Sequence, residues 1–172
     1  MRQTEGKHSW GRFMRIRILC VGHLKEDYWR SAQAEYLKRL SPYAQVSIEE
    51  IDDLPSKENA SLAMEEEVKT KEGAKILAKL KSNEFVCTLD LAKEEPDSIA
   101  LANKMMKMFT RGGAEIAFVI GGSLGLSQEL KKRASASLSL SKLTFTHQMT
   151  RIILLEQLYR SFKILNHEPY HK

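Results

Sequence analysis

Apolar and polar residues fall along the chain in blocks of two alternating kinds. MRIRILCVG (14–22) is an apolar run of strand length. The stretch after it, from about Glu26 to Leu40, places Tyr28, Ala32, Tyr36 and Leu40 four residues apart, which lines one face of a helix. QVSIEEI (45–51) alternates with the two-residue period of a half-buried strand, and DDLPS closes it with turn residues. A charged helix is predicted from about Leu62 to Leu80. Its Glu65, Glu66 and Glu67 lie toward the N-terminal end and Lys75, Lys79 and Lys81 toward the other, the order that the helix dipole favours. EFVCTLD (84–90) is a third strand and Asp97 to Phe109 a third helix. EIAFVIGG (115–122) is the clearest buried strand, with glycines on both sides. Gln128 to Ala134 makes a short helix, ASLSLSKLTF carries a last strand-like alternation, and Met149 to Leu165 a long final helix.

Strand and helix alternate with no repeat, low-complexity linker or internal boundary. The expected architecture is therefore α/β: a single domain with a mainly parallel sheet and helices on both faces. The domain is expected over residues 14–172. Residues 1–13, MRQTEGKHSWGRF, are polar and basic without the apolar centre of a secretory signal, and are expected to be a disordered N-terminal extension.

Composition adds limits more than answers. A chain of 172 residues suits one domain, and no apolar run reaches the length of a membrane span, so a soluble protein with no membrane partner is expected. Cys20 and Cys87 sit inside apolar runs and form no C-x-x-C pair. They read as buried thiols of a cytoplasmic protein, and no metal site is expected. A net charge of +5 suits a nucleic-acid partner without requiring one.

Two late segments carry the candidate chemistry. The loop GGSLGLS after the fourth strand fits a tight turn, and equally a close backbone approach to a ligand at the carboxyl ends of the strands. The sequence has no G-x-x-x-x-G-K-[ST], which argues against a phosphate-cradling nucleotide hydrolase. The first strand ends in VGHLK instead of G-x-G-x-x-G, which disfavours both a dinucleotide fold and the common methyltransferase fold. At the start of the last helix, His147 and Arg151 are four apart and can point one way. His147 is as well read as a capping histidine as a functional one. Glu156 and Arg160 are read as a surface or interface ion pair. The last helix is apolar on more than one face, through Ile152, Ile153, Leu154, Leu155, Leu158, Phe162, Ile164 and Leu165, which suggests a subunit interface. The terminal Tyr170 and His171 are either a frayed end or part of a site.

FVIGGSLGLS, LSLSKLTFTHQMTR, LEQLYRSFKI and the terminal PYHK, with the opening RILCVGHLKEDYW and the middle TLDLAKE, together resemble the ribosomal large-subunit methyltransferase H family. That family belongs to the SPOUT class of methyltransferases. The resemblance runs from about Met14 to Lys172, with one departure: Thr146 stands where relatives usually carry proline. It implies a C-terminal trefoil knot, a feature that periodicity could not predict. It also implies a site for S-adenosyl-L-methionine at Leu89, at Gly121 and Gly122, and along Leu140, Ser141, Lys142, Leu143, Thr144 and Phe145. The implied reaction is methylation of N3 of a pseudouridine in large-subunit rRNA, on the assembled ribosome. The implied enzyme is a homodimer with the partner's C-terminal tail near the cofactor. His147, Tyr170 and His171 are then candidates for handling the N3 proton, and Arg151 for binding phosphate or the developing anion. Two alternatives remain: a ribosome- or RNA-binding protein without catalysis, and a SPOUT methyltransferase acting on tRNA.

Overall fold

The computed structural model describes residues 14–172, so the expectation for residues 1–13 lies outside the described residues. Five strands, β1 (Arg15–Val21), β2 (Gln45–Ile51), β3 (Phe85–Leu89), β4 (Glu115–Ile120) and β5 (Ala136–Leu138), form one sheet in the order β2-β1-β4-β3-β5. Every pairing is parallel. The continuous apolar runs of β1 and β4 are explained by their central places, where a parallel sheet is covered on both faces. Five helices provide that cover: α1 (Asp27–Leu40), α2 (Leu62–Lys79), α3 (Ser98–Gly112), α4 (Gln128–Arg133) and α5 (His147–Leu165).

The two faces bury separate cores. On one, Ile16, Ile18, Ile116 and Phe118 of the sheet meet Met105 and Phe109 of α3 and Leu154, Leu158 and Phe162 of α5. On the other, Leu19, Val86 and Val119 meet Ile76 of α2 and Leu130 of α4. The α/β architecture with helices on both faces is thus the one the sequence predicts.

Three local expectations change. The last strand is short: only Ala136–Leu138 pairs with β3, and residues 139–146 leave the sheet. Ser139 N–H donates to Glu94 O (2.8 Å) and Leu143 N–H to Ser141 Oγ (3.0 Å), so local hydrogen bonds replace the ladder there. The final helix begins at His147, two residues before the expected Met149, because Thr146 caps it. Thr146 is extended (ψ 153°) and its Oγ1 accepts from Met149 N–H at 3.3 Å. The residue that departs from the family pattern is a good helix starter. The stripe of α1 buries Leu40 and half-buries Ala32 and Tyr36, but Tyr28 is 65% exposed, stacked obliquely on Trp29.

The apolar breadth of α5 is partly an internal matter. It lies between α1 and α3, so Leu154, Leu155, Leu158 and Phe162 are buried within one chain. Ile152, Ile153, Ile164 and Leu165 remain half-buried.

Candidate active site

The carboxyl ends of β3, β4 and β5 open into a cavity of about 700 Å³, where ligands of open parallel sheets bind. Its walls come from separate parts of the chain. Leu89 and Leu91 follow β3, Gly121 to Leu126 follow β4, and Leu140, Ser141, Leu143, Thr144 and Phe145 follow β5. The start of α5 closes it with His147, Gln148 and Thr150. The expected cofactor residues therefore converge, with one difference: Lys142 is exposed and is not among the walls. Lys69 of α2, Asp90, Leu91, Lys131 of α4, Gln148 and Thr150 also line it, beyond the residues the sequence points to. Lys69 is hidden in a charged helix, where only the fold brings it to the cavity.

The glycine loop turns on itself. Gly125 N–H donates to Gly122 O (3.0 Å), and Gly125 has φ +90°, the left-handed region that glycine accepts without cost. A Cβ at Gly121 would stand 2.9 Å from Gly125 O and 2.9 Å from Leu126 Cδ2. Glycine at 121 is thus demanded by the tight turn itself, and the turn then presents its backbone to the cavity.

His147 is half-buried in the wall, and its ring lies against the end of β1. A Cβ at Gly22, where φ is +97°, would come within 2.7 Å of His147 Nε2. The lone glycine of VGHLK makes room for the imidazole, a signal legible in the sequence only once its neighbour is known. Capping is done by Thr146, so His147 is not needed for it. Among the described residues no hydrogen bond engages either ring nitrogen. Burial, with Arg151 and Lys25 adding to it against the pull of Asp53, holds the imidazole below its ordinary pKa. The burial thus favours the neutral form of the His147 ring.

Arg151 lies deeper on the same side of α5. It is fully buried and is not among the cavity walls. Its Nη1 donates to Glu50 Oε1 (2.5 Å) and Gln33 Oε1 (3.1 Å), and its Nη2 donates to Gly22 O (3.1 Å). Glu50 in turn meets His23 Nδ1 (2.6 Å), and His23 Nε2 meets Asp52 Oδ1 (2.8 Å). Asp52 and Glu50 hold the His23 pKa above its ordinary value. A chain of hydrogen-bonded polar groups, Arg151, Glu50, His23 and Asp52, thus runs from the core to the surface. Arg151 grips the carbonyl of the residue on which the His147 ring rests, which supports that ring from below. Arg151→Ala would leave Glu50 without its main partner. We expect a loss of about 2–4 kcal/mol, less than for a wholly buried pair because Glu50 is partly exposed. Urea unfolding checks this, with Arg151→Lys recovering only part, since one ammonium cannot reach both Glu50 and Gly22 O.

The tail lies elsewhere. Tyr170 packs edge-on against Tyr159 (ring centres 4.8 Å apart), under the Arg160 guanidinium, and its hydroxyl donates to Glu156 Oε1 (3.2 Å). His171 Nδ1 is 3.4 Å from Arg160 Nη1. Glu156 and Arg160 form the expected ion pair. Within one chain, Tyr170 and His171 do not line the cavity. Among the described residues no group of three His, Cys, Asp or Glu side chains could hold a metal ion.

A family model described as "Predicted SPOUT methyltransferase" matches residues 14–171. Ribosomal RNA large subunit methyltransferase H of Desulforamulus reducens is 48% identical over 159 residues, covering 92% of this chain and 99% of the relative. A solved structure described as that of a probable methylase family protein from Haemophilus influenzae Rd KW20 aligns with a TM-score of 0.50 and 15% identity. It covers 93% of this chain and 71% of that one, a likeness of fold alone.

Proposed function

The chain belongs to the SPOUT methyltransferase family, and from that premise we propose that it methylates large-subunit rRNA with S-adenosyl-L-methionine. Following the resemblance, the target is N3 of a pseudouridine on the assembled ribosome, and the enzyme works as a cytoplasmic homodimer. The observation that carries this reading is the cavity. Its walls include the segments on which the resemblance rests, 121–126, 139–141 and 143–147, brought together at the carboxyl edge of the sheet. The 48% identical relative is an rRNA methyltransferase by name, which favours rRNA over tRNA as the substrate class.

The cavity fits the cofactor in size and chemistry. Its volume of about 700 Å³ lies within the usual range of roughly 300–1,000 Å³ for small-molecule sites. Leu89, Leu140 and Leu143 offer apolar surface, while the backbone around Gly121, Gly122 and residues 141–145 offers amides and carbonyls for an adenine edge. Bound S-adenosylmethionine supplies a methyl group already made electrophilic by its sulfonium, so this reading assigns no role to a metal. The protein's part is to hold the acceptor nitrogen in line and to deal with its proton. His147, neutral and free to accept, takes the N3 proton. Arg151 acts through Gly22 and fixes the imidazole. The half-buried apolar residues of α5 meet a second copy, and that contact carries Tyr170 and His171 to the partner's cavity. The trefoil threading implied by the family accords with residues 138 and 139, which bond to residues 90 and 94 beside the cavity.

Calorimetry tests the reading. The purified chain should bind S-adenosylmethionine, with an affinity unchanged by a strong chelator. Gly121→Val should weaken binding by at least about tenfold, a change of about 1.4 kcal/mol, because its side chain must displace Gly125 and open the turn. Failure of the native chain to bind would sink the function. Normal binding by a folded Gly121→Val would remove the glycine loop from the site.

A further inference from the structure

Glu72 stands in the run EEEVKTKEG of α2, where a carboxylate normally faces water. It is instead 5% exposed. Its Oε1 accepts the backbone N–H of Leu54 at 2.9 Å, and its Oε2 lies against Gly122, where an added Cβ would be 2.9 Å away. Burial raises the Glu72 pKa, offset in part by the Leu54 hydrogen bond. The next residue makes a second close approach. A Cβ on Gly73 would overlap the Ser127 hydroxyl and stand 2.8 Å from Ser127 Cβ. Ser127 is itself buried and caps α4, with its Oγ accepting from Leu130 N–H. Consecutive residues of one helix therefore touch both ends of the glycine loop: Glu72 its beginning at Gly122, and Gly73 its end at Ser127.

We propose that Glu72 is a positioning residue for the cofactor pocket, clamping the start of the glycine loop while Gly73 seats its end. The clamp rests on the reading of the cavity as the S-adenosylmethionine site. A rigid helix then fixes the loop whose backbone must meet the cofactor, as a second layer of contacts fixes a binding site generally. The carboxylate is anchored on one side by the Leu54 N–H in the β2–α2 connection, and its other oxygen packs against the Gly122 backbone after β4.

The full-length chain tests it, with S-adenosylmethionine affinity read by calorimetry and steady-state constants read on ribosomes. Glu72→Ala should weaken cofactor binding by about 10- to 100-fold, the scale of a misplaced site. The KM for ribosomes should stay within about twofold. Glu72→Gln should restore most of the affinity, since its amide oxygen still accepts from Leu54 and its size is kept. General destabilisation would move both KM values together. Gly122→Ala adds a methyl 2.9 Å from Oε2 and 3.1 Å from Val21 Cγ1, so it should weaken binding alone and do less harm in a Glu72→Ala background, where the tighter of the two contacts is gone. Should Glu72→Ala not fold, Glu72→Asp carries the test, because it draws the carboxylate back by one methylene. Wild-type affinity in a folded Glu72→Ala or Glu72→Asp, or losses that simply multiply in the double variant, would overturn the clamp while the site stands. No binding by the native chain would overturn the site and the clamp together.

Discussion

Replacing His147 by alanine should lower methyl transfer to ribosomes by about 10²–10³-fold, the range for a lost general base, while cofactor affinity changes by less than about threefold. The imidazole is a neutral acceptor at the cavity wall with no competing hydrogen bond. Its removal takes away proton acceptance and leaves the glycine loop and the segment 139–146 in place. Stability should hardly move, because Thr146 caps the helix. The pH dependence separates a base from a wall residue. Burial lowers the His147 pKa, so the rate should rise with pH through a midpoint below the ordinary histidine value of about 6.5 and stay level above it. His147→Gln keeps the shape and should lose that acid limb with the rate. Gly22→Ala gives an independent check: its methyl would press on Nε2 from 2.7 Å, at a backbone angle that disfavours any side chain. It should slow transfer by displacing the ring. An unchanged acid limb in His147→Gln would assign the proton to another group.

The sequence carried the order of strands and helices because β1 and β4 are unbroken apolar runs between helical periods, and such runs belong in the middle of a covered parallel sheet. The order of strands in space was not legible in it, since pairing of β4 with both β1 and β3 depends on contacts between distant segments. The alternation in ASLSLSKLTF shows how a local pattern can outrun its structure. Leu138 and Leu140 share a period, but only Leu138 is in the sheet, and Leu140 turns to the cavity.

Depth was the other thing hidden. The four-residue spacing of His147 and Arg151 set a shared side of α5, and the fold then put one at a cavity wall and the other wholly inside. Nothing in the spacing distinguishes a catalytic cation from a buried support. That difference arises from Glu50, Gln33 and Gly22, which are more than a hundred residues away in the chain. Glu72 is a similar case. It stands in a run of charged residues, and only the fold brings its carboxylate against Gly122 and the Leu54 N–H.

Cutting the chain after Pro169 should leave fold and dimer intact and reduce methyl transfer by about 100-fold or more, the cost of an incomplete site. Within its own chain the tail holds only the outer side of α5, through the Tyr170 ring on Tyr159 and the polar contacts to Glu156 and Arg160. Its loss removes little buried area, so a merely frayed end would change neither stability nor turnover. A tail that completes the partner's cavity gives the opposite result. Tyr170→Ala should reproduce much of the defect through lost stacking on base or cofactor, and His171→Ala through a lost proton or phosphate contact. Mixed dimers decide which chain is served. A tail-less chain keeps His147, and a His147→Ala chain keeps its tail, so each homodimer is weak. In a dimer of one of each, a tail that crosses the interface reaches the intact His147 and restores one site, while the other site lacks both groups. Random exchange in an equal mixture makes half the dimers mixed and half their sites complete, so activity should return to about a quarter of the native value per site. Light scattering establishes the dimer, and differently tagged chains establish the exchange. No recovery in mixed dimers shown to form would mean that tail and His147 serve one cavity from the same chain.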